Sequence, residues 1–195
     1  MDVIILCSSQ RHGWSNSKQN ISGFSLIELL ATLAVVSILI AESIPGLNAM
    51  LAQERSTSLT NKLAGTLAYA RSEAITKHQT VIACQSTNSS TCDKSGKWQN
   101  GWIVFIDKNR NKQRDATDTL LRVYSTVNNG TQAIFKGSAG IKYYIKYKPN
   151  GTAHPNGSFL ICNPDIGIGK ALIMSHSGRL RLSKKQTDGS AVTCS

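Results

Sequence analysis

From Phe24 to Ile44 the chain reads FSLIELLATLAVVSILIAESI, 21 residues with two charges, Glu28 near the start and Glu42 near the end. As a helix this run would be about 31 Å long, close to the hydrocarbon thickness of a bilayer. The 23 residues before it carry Arg11 and Lys18 and end in Ser22-Gly23. A secretory signal peptide places its small residues after the apolar run. Here the small residue comes before the run, so a cut at Gly23 would leave the apolar helix on the mature chain. Glu28 argues against a plain anchor, because a carboxylate costs about 2.5–3.5 kcal/mol near a membrane centre and less near its edge. Cleavage after Gly23 would create a free amine on Phe24, about one helical turn from Glu28, which would neutralise it.

Gly23-Phe24-Ser25-Leu26-Ile27-Glu28-Leu29-Leu30 resembles the processing motif of type IV prepilins and type II secretion pseudopilins. Pro45 resembles the helix-kinking proline of the same proteins. The resemblance implies a leader over residues 1–23 removed by a prepilin peptidase, and N-methylation of Phe24. It also implies a transmembrane and filament-core helix over 24–45 and a periplasmic or extracellular domain over 46–195. The expected partners are the inner membrane, which the helix spans once, and the other major and minor pilins of a surface filament. The leader, beginning Met1-Asp2-Val3, is longer than is usual for such proteins.

Five cysteines are awkward for an exported chain, but removal of the leader takes Cys7 and leaves Cys84, Cys92, Cys162 and Cys194. Four cysteines allow three pairings in an oxidising compartment. Sequence proximity favours Cys84–Cys92, closing a small polar loop, and Cys162–Cys194, tying down the C-terminal tail. No CxxC is present and His78, His154 and His176 are scattered, so zinc is not expected.

Leu59, Leu63, Leu67, Ala70 and Ala74 recur at the spacing of one helix face, with Arg55, Lys62 and Glu73 off it, and the helix should end near Lys77-His78. Beyond Gln79 short strands alternate with turn signals. The strands expected are 80–84, 102–107, 120–124, 132–135, 141–147, 158–163, 170–175 and 179–182. Asn128-Asn129-Gly130, Pro149-Asn150-Gly151 and Pro155-Asn156-Gly157 read as turns. The fold class is α+β: a long N-terminal helix, half transmembrane and half packed, followed by an antiparallel sheet and a C-terminal tail.

Leu67–Thr80 with its Ala70-Arg71-Ser72-Glu73-Ala74 core, Val81–Cys84, Gly101–Asp107, Leu160-Ile161-Cys162 and Ser177-Gly178-Arg179-Leu180-Arg181 resemble the GspH/FimT subgroup of minor pilins and pseudopilins. Arg71 and Glu73 read as helix packing and surface pairing.

No catalytic constellation is visible. Gly-x-Ser-x-Gly, a Walker loop and a dinucleotide fingerprint are absent, so neither an enzyme nor a cofactor is expected. Asp107, Asn109, Asn111, Gln113, Asp115 and Asp118 fall in an EF-hand-like register. However, Lys112 stands where the turn needs glycine, Asp118 is too short for the bidentate position, and Lys108, Arg110, Lys112 and Arg114 interleave the ligands. This segment reads as a solvated basic hairpin loop, without a metal.

The chain carries 22 Lys+Arg against 11 Asp+Glu, a net charge of +11. Fourteen of the basic residues lie between Lys108 and Lys185, opposed only by Asp115, Asp118 and Asp165, so the whole excess sits in that stretch. Such asymmetry favours an acidic partner. Strand alternation puts Lys142, Tyr144, Lys146 and Lys148 on one face, with Tyr143, Ile145 and Tyr147 on the other. It also puts Arg179 and Arg181 outward, with Leu180 and Leu182 to the core. Lys184 and Lys185 extend the charge into the tail. Lysines at alternate positions beside Tyr144 suit a polyanion with stackable bases, and arginines add forked phosphate contacts. Gly178-Arg179-Leu180-Arg181 resembles the GRxR element of FimT pilins, implicated in binding DNA for natural transformation. The expectation is a minor pilin that binds double-stranded DNA through Arg179, Arg181, Lys184, Lys185, Lys142, Lys146 and Lys148. The alternatives are a structural pseudopilin of type II secretion, or a pilus-priming subunit, without DNA binding. Anionic lipid or surface polysaccharide would use the same charges.

Overall fold

The computed structural model describes residues 23–125, 130–165, 167 and 169–193. Helix α1 (Leu26–Lys77) contributes to two compact units, 1–43 and 44–195. In the first unit every residue from 23 to 41 is exposed, and Phe24, Leu26, Ile27, Leu33, Ile38 and Leu39 are among its large apolar side chains. The helix is long and apolar enough to cross a membrane. Ser25 opens it, its hydroxyl accepting the Glu28 N–H at 3.3 Å, an N-cap bond.

In the second unit Leu59, Leu63, Leu67, Ala70 and Ala74 are all buried, as their spacing demands. The buried hydroxyls on the same side satisfy themselves on the preceding turn: Ser56 donates to the Ala52 carbonyl and Thr60 to that of Ser56. Thr66 donates to the Lys62 carbonyl and accepts the Trp102 indole N–H at 3.1 Å. No buried hydroxyl is stranded there, so the polar residues of this face cost little.

Nine strands follow among the described residues: β1 (Val81–Gln85), β2 (Trp102–Ile106), β3 (Thr119–Tyr124), β4 (Gln132–Gly137), β5 (Tyr144–Tyr147), β6 (Ala153–His154), β7 (Gly157–Cys162), β8 (Gly169–Met174) and β9 (Leu180–Ser183). They form two antiparallel sheets, not one, in the orders β3-β2-β1-β5-β6 and β4-β7-β8-β9. Pro155-Asn156 carries the chain from β6 in the first sheet to β7 in the second. Both sheets and α1 share one core, with Trp98, Trp102, Phe135, Tyr147, Phe159 and Met174 at its centre. β1 and β2 are buried on both faces, because Ile82, Cys84, Ile103, Phe105 and Tyr144 form a second cluster on the outer side of the first sheet. The loop closed by the Cys84–Cys92 disulfide contributes Cys92 to that cluster. Cys162 is also a disulfide cysteine, and Cys194, with which it was expected to pair, lies outside the described residues. So do Asn128 and Asn129 of the first expected turn.

Two side-chain expectations fail. The strand expected over 141–147 begins only at Tyr144, since the Lys142 carbonyl is taken by the Trp98 indole at 2.8 Å. Tyr144 is 4% exposed, inside the second cluster, and offers no ring for stacking. Leu182 is 58% exposed instead of buried, because β9 is the edge of its sheet and only Leu180 reaches the core.

The segment 107–118 is tied together by its own side chains. Asp107 accepts the Lys112 N–H, and Asp118 accepts those of Lys108 and Asp115. Asp115 accepts from Thr117, Asn109 and Asn111. The Thr117 hydroxyl and N–H, then the Asn109 amide, hold the Asp115 carboxyl down at about 2. Because that value lies below the unfolded one, these bonds favour the folded loop at pH above about 4 and are lost as pH falls through about 2. A carboxyl-carbon NMR titration of Asp115 should therefore show a midpoint near 2; a midpoint near 4 would mean the loop is not closed in this way.

Candidate nucleic-acid interface

The second sheet aligns its strands so that Lys136 (β4) faces Ser158 (β7), Ser158 faces Ile173 (β8), and Ile173 faces Arg181 (β9). Directly opposed residues share a face, and their neighbours Phe135, Phe159, Leu172 and Leu180 point to the core. Lys136 and Arg181 therefore project from the outer face, at the ends of a row about 14 Å long. Both line a cleft of about 560 Å³, together with Ser138, Asn156, Ser158, Ser175, Gln186 and Thr187. Lys136 Nζ donates to Gln186 Oε1 at 3.5 Å. The cleft combines two exposed cations with hydroxyl and amide groups, the donor set that a phosphodiester accepts from.

The tail forms one wall. Gln186 N–H donates to the Ser190 carbonyl and Gly189 N–H to that of Gln186, closing a turn. Val192 then packs on Ala171 and Ile173, and its carbonyl accepts the Gly169 N–H at 2.9 Å. Lys184 and Lys185 are exposed at the end of β9, with Lys185 bridged to Ala191. Asp188 sits in this turn, its carboxyl held below the usual range by the Ser190 hydroxyl and N–H, and to a smaller extent by Lys136.

The remaining expected residues lie elsewhere. Arg179 precedes β9, in the turn where Gly178 N–H donates to the Ser175 carbonyl and Ser175 N–H to that of Arg179. Gly178 has φ of +76°, and a Cβ there would meet the Gly151 carbonyl at 2.4 Å. Arg179 consequently lines a different groove, of about 480 Å³, with Arg71, Ser72, Ile75 and Leu180. Arg179 and Arg181 thus line different clefts, and only Arg181 belongs to the strand. Arg71 Nε donates to the Gly151 carbonyl at 3.1 Å, which gives that arginine its packing role. Lys146 and Lys148 line a third cleft, on the first sheet, and exposed Lys142 precedes β5 of that sheet. Sequence reasoning missed Lys136 and Gln186. The strand expected over 132–135 stops one residue short of Lys136, and nothing local signals the four-strand row that sets Lys136 beside Arg181. Arg122, flanked by apolar residues, lies 3.8 Å from the Tyr69 ring centroid and so fastens β3 to α1.

A helix with an apolar N-terminal part, followed by antiparallel sheets packed on its C-terminal part, defines a pilin-like subunit. A family model described as "Type II transport protein GspH" matches residues 59–178, and one described as "Prokaryotic N-terminal methylation motif" matches residues 18–41. The chain belongs to the GspH family. No curated protein matches it. Two crystal structures of the type IV minor pilin FimU of Pseudomonas aeruginosa PAO1 are similar in fold. One, in space group P65, is 23% identical with a TM-score of 0.50, covering 65% of this chain and 91% of that one. The other, in P21, is 22% identical with a TM-score of 0.52, covering 67% and 90%. The family is one of structural pilin subunits and not an enzyme class, and its apolar helix fits a membrane-anchored subunit.

Proposed function

We propose that this chain is a minor pilin that binds extracellular double-stranded DNA, with little sequence preference, for uptake in natural transformation. The observation that carries the reading is the row joining Lys136 and Arg181 across one polar cleft on the most basic part of the chain. Arg181 and Lys136 contact phosphates, Lys184 and Lys185 add contacts from the rim, and Arg179 reaches the duplex from the other side of the β8–β9 turn. Lys142, Lys146 and Lys148 are on the other sheet and supply long-range attraction. A gel shift of the full chain in detergent with random-sequence duplex tests this: binding should be salt-sensitive and indifferent to sequence. Absence of binding at low salt would refute it. The description of the matching family favours a second reading, a structural pseudopilin of type II secretion without a DNA role.

In either reading the prepilin peptidase cuts after Gly23, Phe24 becomes the methylated N-terminus, and the helix holds the chain in the inner membrane, with the domain in the periplasm, before assembly with other pilins. Mass spectrometry of membrane-extracted protein should find a chain starting at Phe24 and one methyl group heavier than the bare cut. Gly23→Arg should leave the leader uncut, whereas Gly23→Ala should be tolerated. A wild-type chain with an intact leader would remove the pilin reading.

A further inference from the structure

The third cleft lies on the first sheet, well separated in the topology from the Lys136–Arg181 row. It has a volume of about 290 Å³ and is lined by Thr80, Asp107, Arg110, Lys146, Lys148 and Pro149. Three of these six residues are cations, and none of the three is ion-paired among the described residues. Lys146 is half-buried, and burial, then Lys112 and Lys148, push its amine below the usual lysine range. His154, opposite Lys146 on β6, is pushed down by burial, then by Lys146, His176, Lys112 and Lys148, so it adds little charge at pH 7. The lone acid of the cleft is Asp107, which is 3% exposed. One of its oxygens accepts the Lys112 N–H at 3.2 Å, whereas Oδ1 makes no hydrogen bond of good geometry, although the Arg110 and Asn111 N–H groups face the carboxyl; burial pushes that carboxyl above the usual aspartate range.

A buried carboxylate oxygen calls for a donor, and an excess of unpaired cations calls for an anion. A ligand that satisfies both carries a negative group and a free hydroxyl on one small frame. A phosphodiester of DNA fails the second requirement, because its backbone has no O–H. We infer that this cleft is a second ligand site, which takes one uronic-acid ring of an acidic polysaccharide, its carboxylate on Lys146, Lys148 and Arg110 and a ring hydroxyl donated to Asp107 Oδ1. The volume is at the small end of ligand pockets, which suits a single sugar ring and excludes a stacked nucleotide pair. The site is independent of the DNA reading and shares no residue with the Lys136–Arg181 cleft.

The test is calorimetric titration of the full chain in detergent with trigalacturonate at pH 7. Trigalacturonate should bind, and maltotriose, with the hydroxyls but no carboxylate, should not. The informative variant is Asp107→Asn. It removes a negative charge, so diffuse attraction alone makes the anion bind as well or better, whereas the single Asn oxygen, held by the Lys112 N–H, leaves an NH2 donor where the ring hydroxyl needs an acceptor and should weaken binding at least tenfold. Because Asp107 also holds the Lys112 N–H, the Lys146→Gln, Lys148→Gln double variant is measured beside it and should give a loss of similar size with the loop intact. Lys136→Gln with Arg181→Gln should leave trigalacturonate binding unchanged within twofold. The inference is overturned if trigalacturonate does not bind or if Asp107→Asn strengthens its binding. It is equally overturned if inorganic phosphate or duplex DNA displaces trigalacturonate from the wild-type cleft at matched charge concentration.

Discussion

Gly157→Ala should destabilise the globular unit by about 3 kcal/mol, at the upper end of what overpacking usually costs. Gly157 opens β7 opposite Gly137, the last residue of β4. A Cβ on Gly157 would lie 2.2 Å from the Lys136 carbonyl oxygen and 2.7 Å from the Gly137 Cα, and both obstacles are backbone. No rotamer change relieves such a clash, so the end of the β4–β7 pair must open. Gly137 is equally confined, since its Cβ would meet the Ile141 carbonyl at 2.4 Å. The paired glycines thus let two strands close up beside Lys136, and the variant should lose DNA affinity as well as stability. Denaturant unfolding followed by tryptophan fluorescence checks the first effect. A midpoint unchanged from wild type would mean that β4 and β7 do not approach this closely.

Trp98→Ala should cost about 3–5 kcal/mol, the usual range for deleting a buried large aromatic. Trp98 is fully buried, with its ring centroid 5.0 Å from Phe159, 6.4 Å from Phe135 and 6.5 Å from Trp102. It thereby joins aromatic side chains of both sheets. Its indole N–H donates to the Lys142 carbonyl at 2.8 Å and so fixes the entry to β5. Truncation removes both the volume and that bond. The same unfolding measurement applies, and a loss below about 1 kcal/mol would show that the two sheets do not depend on this residue.

The helix was legible because Leu59, Leu63, Leu67, Ala70 and Ala74 repeat at helical spacing and nothing at the sheets overrides it. The strands were legible as short apolar runs between turns, but not their division into two sheets. β1 and β2 are buried on both faces, so VIACQ and WIVFI carry no alternation to show which side meets α1. β6 is two residues long and too short to register as a pattern. At the candidate interface Arg181 could be named from its place in the chain, whereas Lys136 lies 45 residues earlier and becomes its neighbour only through three successive strand registers. Tyr144 shows the opposite error: alternation assigned it correctly to the face away from the main core, but a disulfide loop and three neighbouring strands cover that face. Pattern gives the direction of a side chain, and only tertiary packing decides whether that direction ends in solvent.

The central claim is a local phosphate site on the outer face of the second sheet, and the salt dependence of duplex binding tests it most directly. Two double variants of the full chain each remove two positive charges: Lys136→Gln with Arg181→Gln in the cleft, and Lys108→Gln with Arg110→Gln in the exposed loop after β2. If the cleft contacts two phosphates, the first pair should flatten the slope of log K against log salt by about 1.8, at ~0.9 per contact. It should also bind at least tenfold more weakly than the second pair, a gap of about 1.4 kcal/mol. Equal losses and equal slopes for the two pairs would contradict the local site and leave only a positively charged domain.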